Sequence, residues 1–250
     1  MDLNADVGEG YGVWRLGDDA QLMPYLTSAS VATGGHAGDP AVMWQTVEAA
    51  RRHGVAVGAH VSYPDVRGFG RRRWEGDPGE MVAELVAQIG ALDAICRAQG
   101  VPLAYVKPHG TLYHDVNWDR RWQQVLEAVL TRLSGPKAVM VQANTPAVAW
   151  FQAAGFTVIR EGFCDRGYLD DGRLVPRGQP GALRSLEEAV EQAVRLATEG
   201  VVITQGGHRL PLAVDSLCLH GDTPEALAMA KAIRQALEER GVSVHSWVAG

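Results

Sequence analysis

Six side chains able to move protons or hold a metal fall at the ends of short apolar runs: Asp6, His36, His60, Lys107, His109 and His220. Histidine and carboxylate together offer general acid–base catalysis or a divalent-metal site. Other polar residues share this placement: Asn4 beside Asp6, then Asn144, Glu161, Asp165, and Asp222 beside His220. Four of the eight histidines lie at such ends, where chance would scatter more of them, as with His53. A single histidine there can equally be a loop residue. Asp39, Asn144 and Asp222 stand at or near helix starts and could serve as caps. Asn4 and Asp6 resist that reading, because a polar residue within an apolar run must face somewhere that tolerates it. The mouth of a barrel would do. Lysine is scarce, with 3 residues against 20 arginines. Lys137 and Lys231 read as surface positions. Lys107 lies between Leu103–Val106 and Pro108–His109 and is expected to do what arginine cannot, since a buried lysine can give up its proton.

The elements that would position these residues alternate regularly. Strands are predicted at Asp2–Asp6, Ala29–Thr33, Val55–His60, Leu103–Lys107, Ala138–Gln142, Phe156–Arg160, Val201–Thr204 and Ser216–His220. Helical patterns lie between them. Asp39-Pro40, Asp77-Pro78 and Thr223-Pro224 each supply a capping residue and a first-turn proline, and Asn144-Thr145-Pro146 is a variant. Ser185 with Glu188 makes a capping box. Gly54, Gly100, Gly155, Gly200 and Gly241 stand where helices give way to strands. This βα repeat predicts a parallel sheet with helices outside, in one domain over residues 1–250. Val201–Thr204 and Arg209–Val214 flank Gly206-Gly207 and could form a hairpin, so seven barrel strands plus a hairpin is as good a reading as eight. In α/β barrels the site sits at the carboxyl ends of the strands, where the polar residues fall.

The 250 residues carry a formal net charge of -6, which argues against a nucleic-acid partner. No apolar run approaches the roughly 20 residues needed to cross a bilayer, so no membrane partner is expected. The scattered Cys96, Cys164 and Cys218 suggest a reducing compartment. With no basic-then-apolar leader pattern, a cytoplasmic location is expected. No phosphate-binding Gly-x-x-x-x-Gly-Lys-Ser/Thr, no dinucleotide fingerprint and no Gly-x-Ser-x-Gly elbow is present. The glycines at 8, 10, 34, 35, 38, 68 and 70 permit close backbone approach around the polar ends. The segment from Tyr63 to Gly79 carries Arg67, Arg71, Arg72 and Arg73 beside Phe69 and Trp74. It reads either as a basic loop that clamps an anion over the barrel mouth or as a solvated surface run.

Seven stretches, in order, resemble the LamB/YcsF family. They are Asp2-Leu-Asn-Ala-Asp-Val-Gly-Glu-Gly10, Thr33-Gly-Gly-His-Ala-Gly-Asp-Pro40, Gly58-Ala-His-Val-Ser-Tyr-Pro-Asp65 with Gly68-Phe-Gly-Arg-Arg72, Val106-Lys-Pro-His-Gly110, Glu161-Gly-Phe-Cys-Asp-Arg-Gly-Tyr168, Val175-Pro-Arg-Gly-Gln-Pro-Gly181 and Leu219-His-Gly-Asp-Thr-Pro224. The chain departs from the family pattern at Thr33-Gly-Gly-His36, where Cys-Gly-Phe/Tyr-His is usual, and at Val61, often proline. The resemblance implies an irregular (β/α) barrel of about seven strands, like those of glycoside hydrolases and deacetylases, with a C-terminal hairpin insertion. It also implies the role of family members described as the A subunit of the ATP-dependent bacterial 5-oxoprolinase. That enzyme opens 5-oxo-L-proline (pyroglutamate) to L-glutamate with subunits B and C.

On that resemblance, ATP serves the complete complex and this chain houses the hydrolytic step on an activated lactam. His60 or His109 would be the general base, Asp6 would orient it, and Lys107 would stabilise oxyanion or phosphate charge. Asn4, His36, Arg71, Asn144, Glu161, Asp165, His220 and Asp222 would contact substrate. Related barrels bind metals through Asp and His at strand ends, which makes Asp6, His36, His60 and His109 the candidate ligands of a divalent ion. Two alternatives stay open: a free-standing metal-dependent amidohydrolase or deacetylase, and a non-catalytic substrate-binding subunit.

Overall fold

The polar–apolar alternation of the first strand sets the architecture. Successive side chains on a strand point to opposite faces, so Asp2, Asn4 and Asp6 share one face while Leu3, Ala5 and Val7 share the other, and all six are buried. A strand can bury both faces only if each is covered, as in a barrel ringed by helices. The computed structural model describes residues 1–136, 138–221 and 225–247. It contains β1 (Asp2–Val7), α1 (Asp19–Leu22), β2 (Ser28–Ala32), α2 (Pro40–His53), β3 (Ala56–Val61), α3 (Pro78–Ala98), β4 (Leu103–Pro108), α4 (Gly110–Trp118), α5 (Arg120–Arg132), β5 (Ala138–Gln142), α6 (Pro146–Ala153), β6 (Thr157–Phe163), α7 (Leu186–Glu199), β7 (Val201–Ile203), β8 (Arg209–Pro211), β9 (Ser216–His220) and α8 (Ala226–Glu239). Seven strands close into a parallel barrel in the order β1-β2-β3-β4-β5-β6-β9, with β9 pairing both β1 and β6. β7 and β8 form a separate antiparallel hairpin. The fold is therefore seven barrel strands plus a hairpin, not eight barrel strands.

Leu3, Ala5 and Val7 join Val57, Ala59 and Val61 in the apolar core that also takes in α2, α3 and α5. The lumen is built in levels. At the amino ends Asp2 accepts from Ser28 Oγ at 2.7 Å and Ser216 Oγ at 2.5 Å. Above it Tyr105 packs with Ala138, Met140 and Ile159 and meets Ser30 Oγ at 3.0 Å. Gly58 leaves room for that ring, since a Cβ there would lie 2.2 Å from it. The carboxyl ends carry the polar residues.

The helix starts follow the predicted chemistry. Asp39 accepts from the amides of Ala41 and Val42, Asp77 from Gly79, and Ser185 with Glu188 closes its capping box. Thr145 rather than Asn144 is the cap residue of α6. The sixth strand differs most from expectation. It runs to Phe163 instead of ending at Arg160, which places Glu161 inside the strand, not after it. Asp222 and the Thr223-Pro224 helix start lie outside the described residues. Among the described residues no helix is long and apolar enough to cross a membrane.

Candidate active site

Lys107 reaches across the lumen from β4. Its ammonium lies 2.7 Å from Asp6 Oδ1 on β1 and 2.7 Å from Glu161 Oε1 on β6. Asn4 Oδ1 and Cys218 Sγ each lie 3.3 Å away. Burial alone would push this ammonium down, but the two carboxylates more than offset it and hold Lys107 well above the ordinary lysine range. The expectation of a lysine that gives up its proton is therefore wrong, because its charge is neutralised in place. What arginine cannot do here is serve as a compact point charge with three donors. Burial likewise opposes the charge on Asp6, yet His60 and Lys107 hold that carboxyl well below its usual range. Tyr113 donates to Glu161 Oε2 at 2.7 Å.

Three histidine rings meet above Lys107, His36 and His109 stacked and His60 edge-on to both. His60 Nδ1 lies 3.1 Å from the Lys107 carbonyl and His109 Nε2 lies 3.0 Å from the Phe69 carbonyl. A carbonyl only accepts, so those nitrogens carry the protons. The lone-pair nitrogens, His60 Nε2 and His109 Nδ1, are then turned on each other at 3.0 Å. His60 Nε2 is also 3.3 Å from Asp6 Oδ2. His36 stacks on His109 with ring centres 3.6 Å apart, and its Nε2 is 3.0 Å from Glu9 Oε1. The buried His36 Nδ1 has no hydrogen-bond partner among the described residues. Burial lowers His36 to about 3, with Asp6 opposing and Arg71 assisting. Burial first, then His36 and His60, hold His109 well below the usual imidazole range.

One donor atom from each of Glu9, His36, His60 and His109 lies within 4.8 Å of the others. The separations of 3.0, 3.0 and 3.6 Å between neighbouring donors bracket the roughly 3.3 Å edge of a tetrahedron of nitrogen and oxygen ligands around a zinc-sized ion. The donor set fits a divalent cation. Glu9 takes the place expected for Asp6, whose Oδ1 is held by Lys107.

A cavity of about 250 Å³ opens over this floor and is lined by Asp6, His60, Lys107, His109 and His220 among others. On β9, beside Asp6 across the β1–β9 pairing, His220 Nδ1 donates to Asp165 Oδ2 at 2.8 Å, and its imidazole stacks on Phe163 with ring centres 5.6 Å apart. Burial opposes the Asp165 charge, but His220 and the His220 amide keep that carboxyl low. Arg71 lines the cavity, whereas Arg72 of the same loop is tied to Asp65.

Not every expected substrate contact belongs here. Asn4 and Glu161 are buried beneath the cavity as partners of Lys107. Asp165 acts behind His220. Asn144 is exposed, adopts a left-handed φ of 58° and donates to the Pro211 carbonyl at 2.6 Å, so it ties the loop after β5 to the hairpin instead of facing the cavity. The residues that sequence reasoning passed over are Glu9, Tyr113, His114, Arg166 and Arg177. Glu9 had a signal in its place between Gly8 and Gly10 just beyond β1. The others lie on segments whose approach to the mouth has no local sequence pattern.

The LamB/YcsF family profile matches residues 1–249. The chain belongs to that family. It is 46% identical over 248 residues to the A subunit of a 5-oxoprolinase from Nocardia farcinica, covering 99% of each chain. The likeness is the same, 46% with 99% coverage of both, to a protein of that name from Streptomyces griseus. A crystal structure of a lactam utilization protein from Thermus thermophilus superposes with a TM-score of 0.92 at 40% identity, covering 99% of both chains. That superposition supports the barrel and its hairpin as the LamB/YcsF fold.

Proposed function

We propose that this chain is the hydrolytic subunit of an ATP-dependent 5-oxoprolinase, acting with subunits B and C on an activated form of 5-oxo-L-proline. The observation that carries the reading is the full-length likeness to proteins named as the A subunit of 5-oxoprolinase. The geometry supplies the parts. A lactam carbonyl is a poor electrophile, and phosphorylation of its oxygen by ATP makes the ring carbon attackable. His60 takes a proton from water through Nε2, and Asp6 at 3.3 Å stabilises the resulting imidazolium. His109, held well below the usual imidazole range, is the poorer base. As water adds, the ring C–N bond breaks and the nitrogen takes a proton, for which His220, oriented by Asp165, is placed. The products are the free amine and an acyl phosphate, which a second water converts to carboxylate and phosphate.

A divalent ion held by Glu9, His36, His60 and His109 would supply Lewis acidity and lower the pKa of a bound water. The donor spacing favours a second reading in which the chain is a metal-dependent amide hydrolase in its own right. One experiment separates the two. The purified chain is assayed for glutamate and ADP with 5-oxo-L-proline and ATP, alone and then with subunits B and C. The divided-labour reading expects both products only from the complete mixture. Equal rates from the isolated chain would refute it.

A further inference from the structure

Within a chain of net charge -6, the cavity lining is basic: Arg71, Lys107, Arg166 and Arg177 face one acidic residue, Asp6, among the described residues. Lys107 is neutralised at the floor. Arg166 and Arg177, from the segment after β6, have no carboxylate within ion-pair distance among the described residues. Arg166 is only 4% exposed. Its guanidinium is fixed by two carbonyls, Nε to Ala182 at 3.0 Å and Nη2 to Val175 at 2.8 Å. Burial, then repulsion from Arg177, lowers it to about 10; attraction from Asp165 offsets part of this, and Arg71 adds to the repulsion. A buried cation hydrogen-bonded only by carbonyls and crowded by other cations, with the nearby Asp165 already engaged by His220, is costly unless a further anion joins it. His114 on the rim is lowered by partial burial and then by Arg166 and Arg177, which puts a fourth nitrogen ring in the same positive field. Gly110 and Thr111 of α4 also line the cavity, where the Thr111 amide is taken by the Gly70 carbonyl at 3.0 Å.

We propose that Arg71, Arg166 and Arg177 form an oxyanion subsite that seats the charged group of the substrate above the acid–base floor. The group is a phosphoryl or a carboxylate, and its identity, though not the subsite, rests on the function proposed above. Carbonyl anchoring pre-sets Arg166, so little side-chain freedom is lost when the anion arrives.

Calorimetric titration of the purified chain tests this with three probes: inorganic phosphate, 5-oxo-L-proline, and 2-pyrrolidinone, the same ring without its carboxylate. Each is repeated on Arg177→Gln, an exposed position, and Arg166→Gln. At least one anion should bind and weaken roughly tenfold or more in each variant, while any binding of 2-pyrrolidinone stays unchanged. Loss for phosphate alone assigns the phosphoryl group, and loss for 5-oxo-L-proline assigns the carboxylate. If Arg166→Gln does not fold, Arg177→Gln decides. Absence of anion binding to the unaltered chain, or unaltered affinity in Arg177→Gln, overturns the proposal. The titration needs neither turnover nor partner subunits, so failure of the divided-labour mechanism would leave its result standing.

Discussion

His60 Nε2 and His109 Nδ1 face each other at 3.0 Å with both ring N–H groups turned away onto backbone carbonyls. Two lone pairs cannot remain so without a proton or a cation between them. Glu9 and His36 converge on the same point, so a cation there would occupy His60 Nε2 and belong to the metal-dependent reading, whereas a shared proton leaves that nitrogen to act as base. Addition of Co(II) to chelator-treated protein should give a visible absorption band at one equivalent. His109→Asn should weaken that binding at least roughly tenfold, by the loss of one ligand. A flat spectrum would leave a proton shared by the two rings as the answer.

Lys107 neutralises Asp6 and Glu161 at 2.7 Å each. Lys107→Met strands both carboxylates in the lumen, and breaking a buried pair in this way costs about 3–5 kcal/mol. Without the ammonium the Asp6 carboxyl rises, so the folded variant holds protons that its unfolded chain has released. Its stability must then fall as pH rises. Urea denaturation should show a larger loss at pH 8 than at pH 5. A loss below about 1 kcal/mol at both would mean that the cluster is not a coupled unit.

The strand-end pattern made most of this floor legible from residue types and spacing alone. Asp6, His60, Lys107, His109 and His220 all line one cavity because parallel barrel strands end on one face. The protonation of Lys107 was only half legible: Asp6, its stronger partner, was among the strand-end residues, but Glu161 enters the lumen only because β6 extends to Phe163. Arg166 and Arg177 were hidden for another reason. Their placement depends on the Arg166–Leu183 and Tyr168–Leu174 bridges that fold the segment after β6 back over the mouth. Asn144 misled because a polar residue after a strand looks the same in sequence whether it faces the lumen or caps the outer layer.

Asp19 lies outside the cavity and is raised to about 6, mainly by burial, although the Gly8 amide donates to it at 2.8 Å. Its folded pKa exceeds the unfolded value, so between about pH 4 and 6 the folded state binds more protons. Stability from this group is therefore greatest below pH 4 and declines as pH rises through 6, then levels off. Two units correspond to about 3 kcal/mol at most. Asp19→Asn keeps an acceptor for Gly8 and removes the charge. Its stability relative to the unaltered chain should improve from pH 4.5 to pH 7.5 by about 1–3 kcal/mol in paired urea titrations. A constant difference across that range would show that Asp19 ionises normally.

Asp165 and His220, the latter paired with Asp6 across β1 and β9, form the second acid–base pair of the cavity. Asp165 fixes Nδ1 as the protonated nitrogen, which leaves His220 Nε2 as the atom that exchanges protons with a ligand. Asp165→Asn can instead donate its amide to Nδ1 and reverse the tautomer, with little change in shape. If His220 delivers the proton to the ring nitrogen, this variant should lose roughly 10²–10⁴-fold in kcat in the reconstituted mixture, the range for a positioned acid or base. KM for 5-oxo-L-proline should change much less than kcat, because the Arg166 contacts to Ala182 and Val175 stay in place and only the Asp165 charge beside it is lost. ADP release should persist while glutamate falls, since phosphorylation precedes ring opening. Proportional loss of both products would place His220 in binding or assembly, and unaltered turnover would remove the pair from the mechanism.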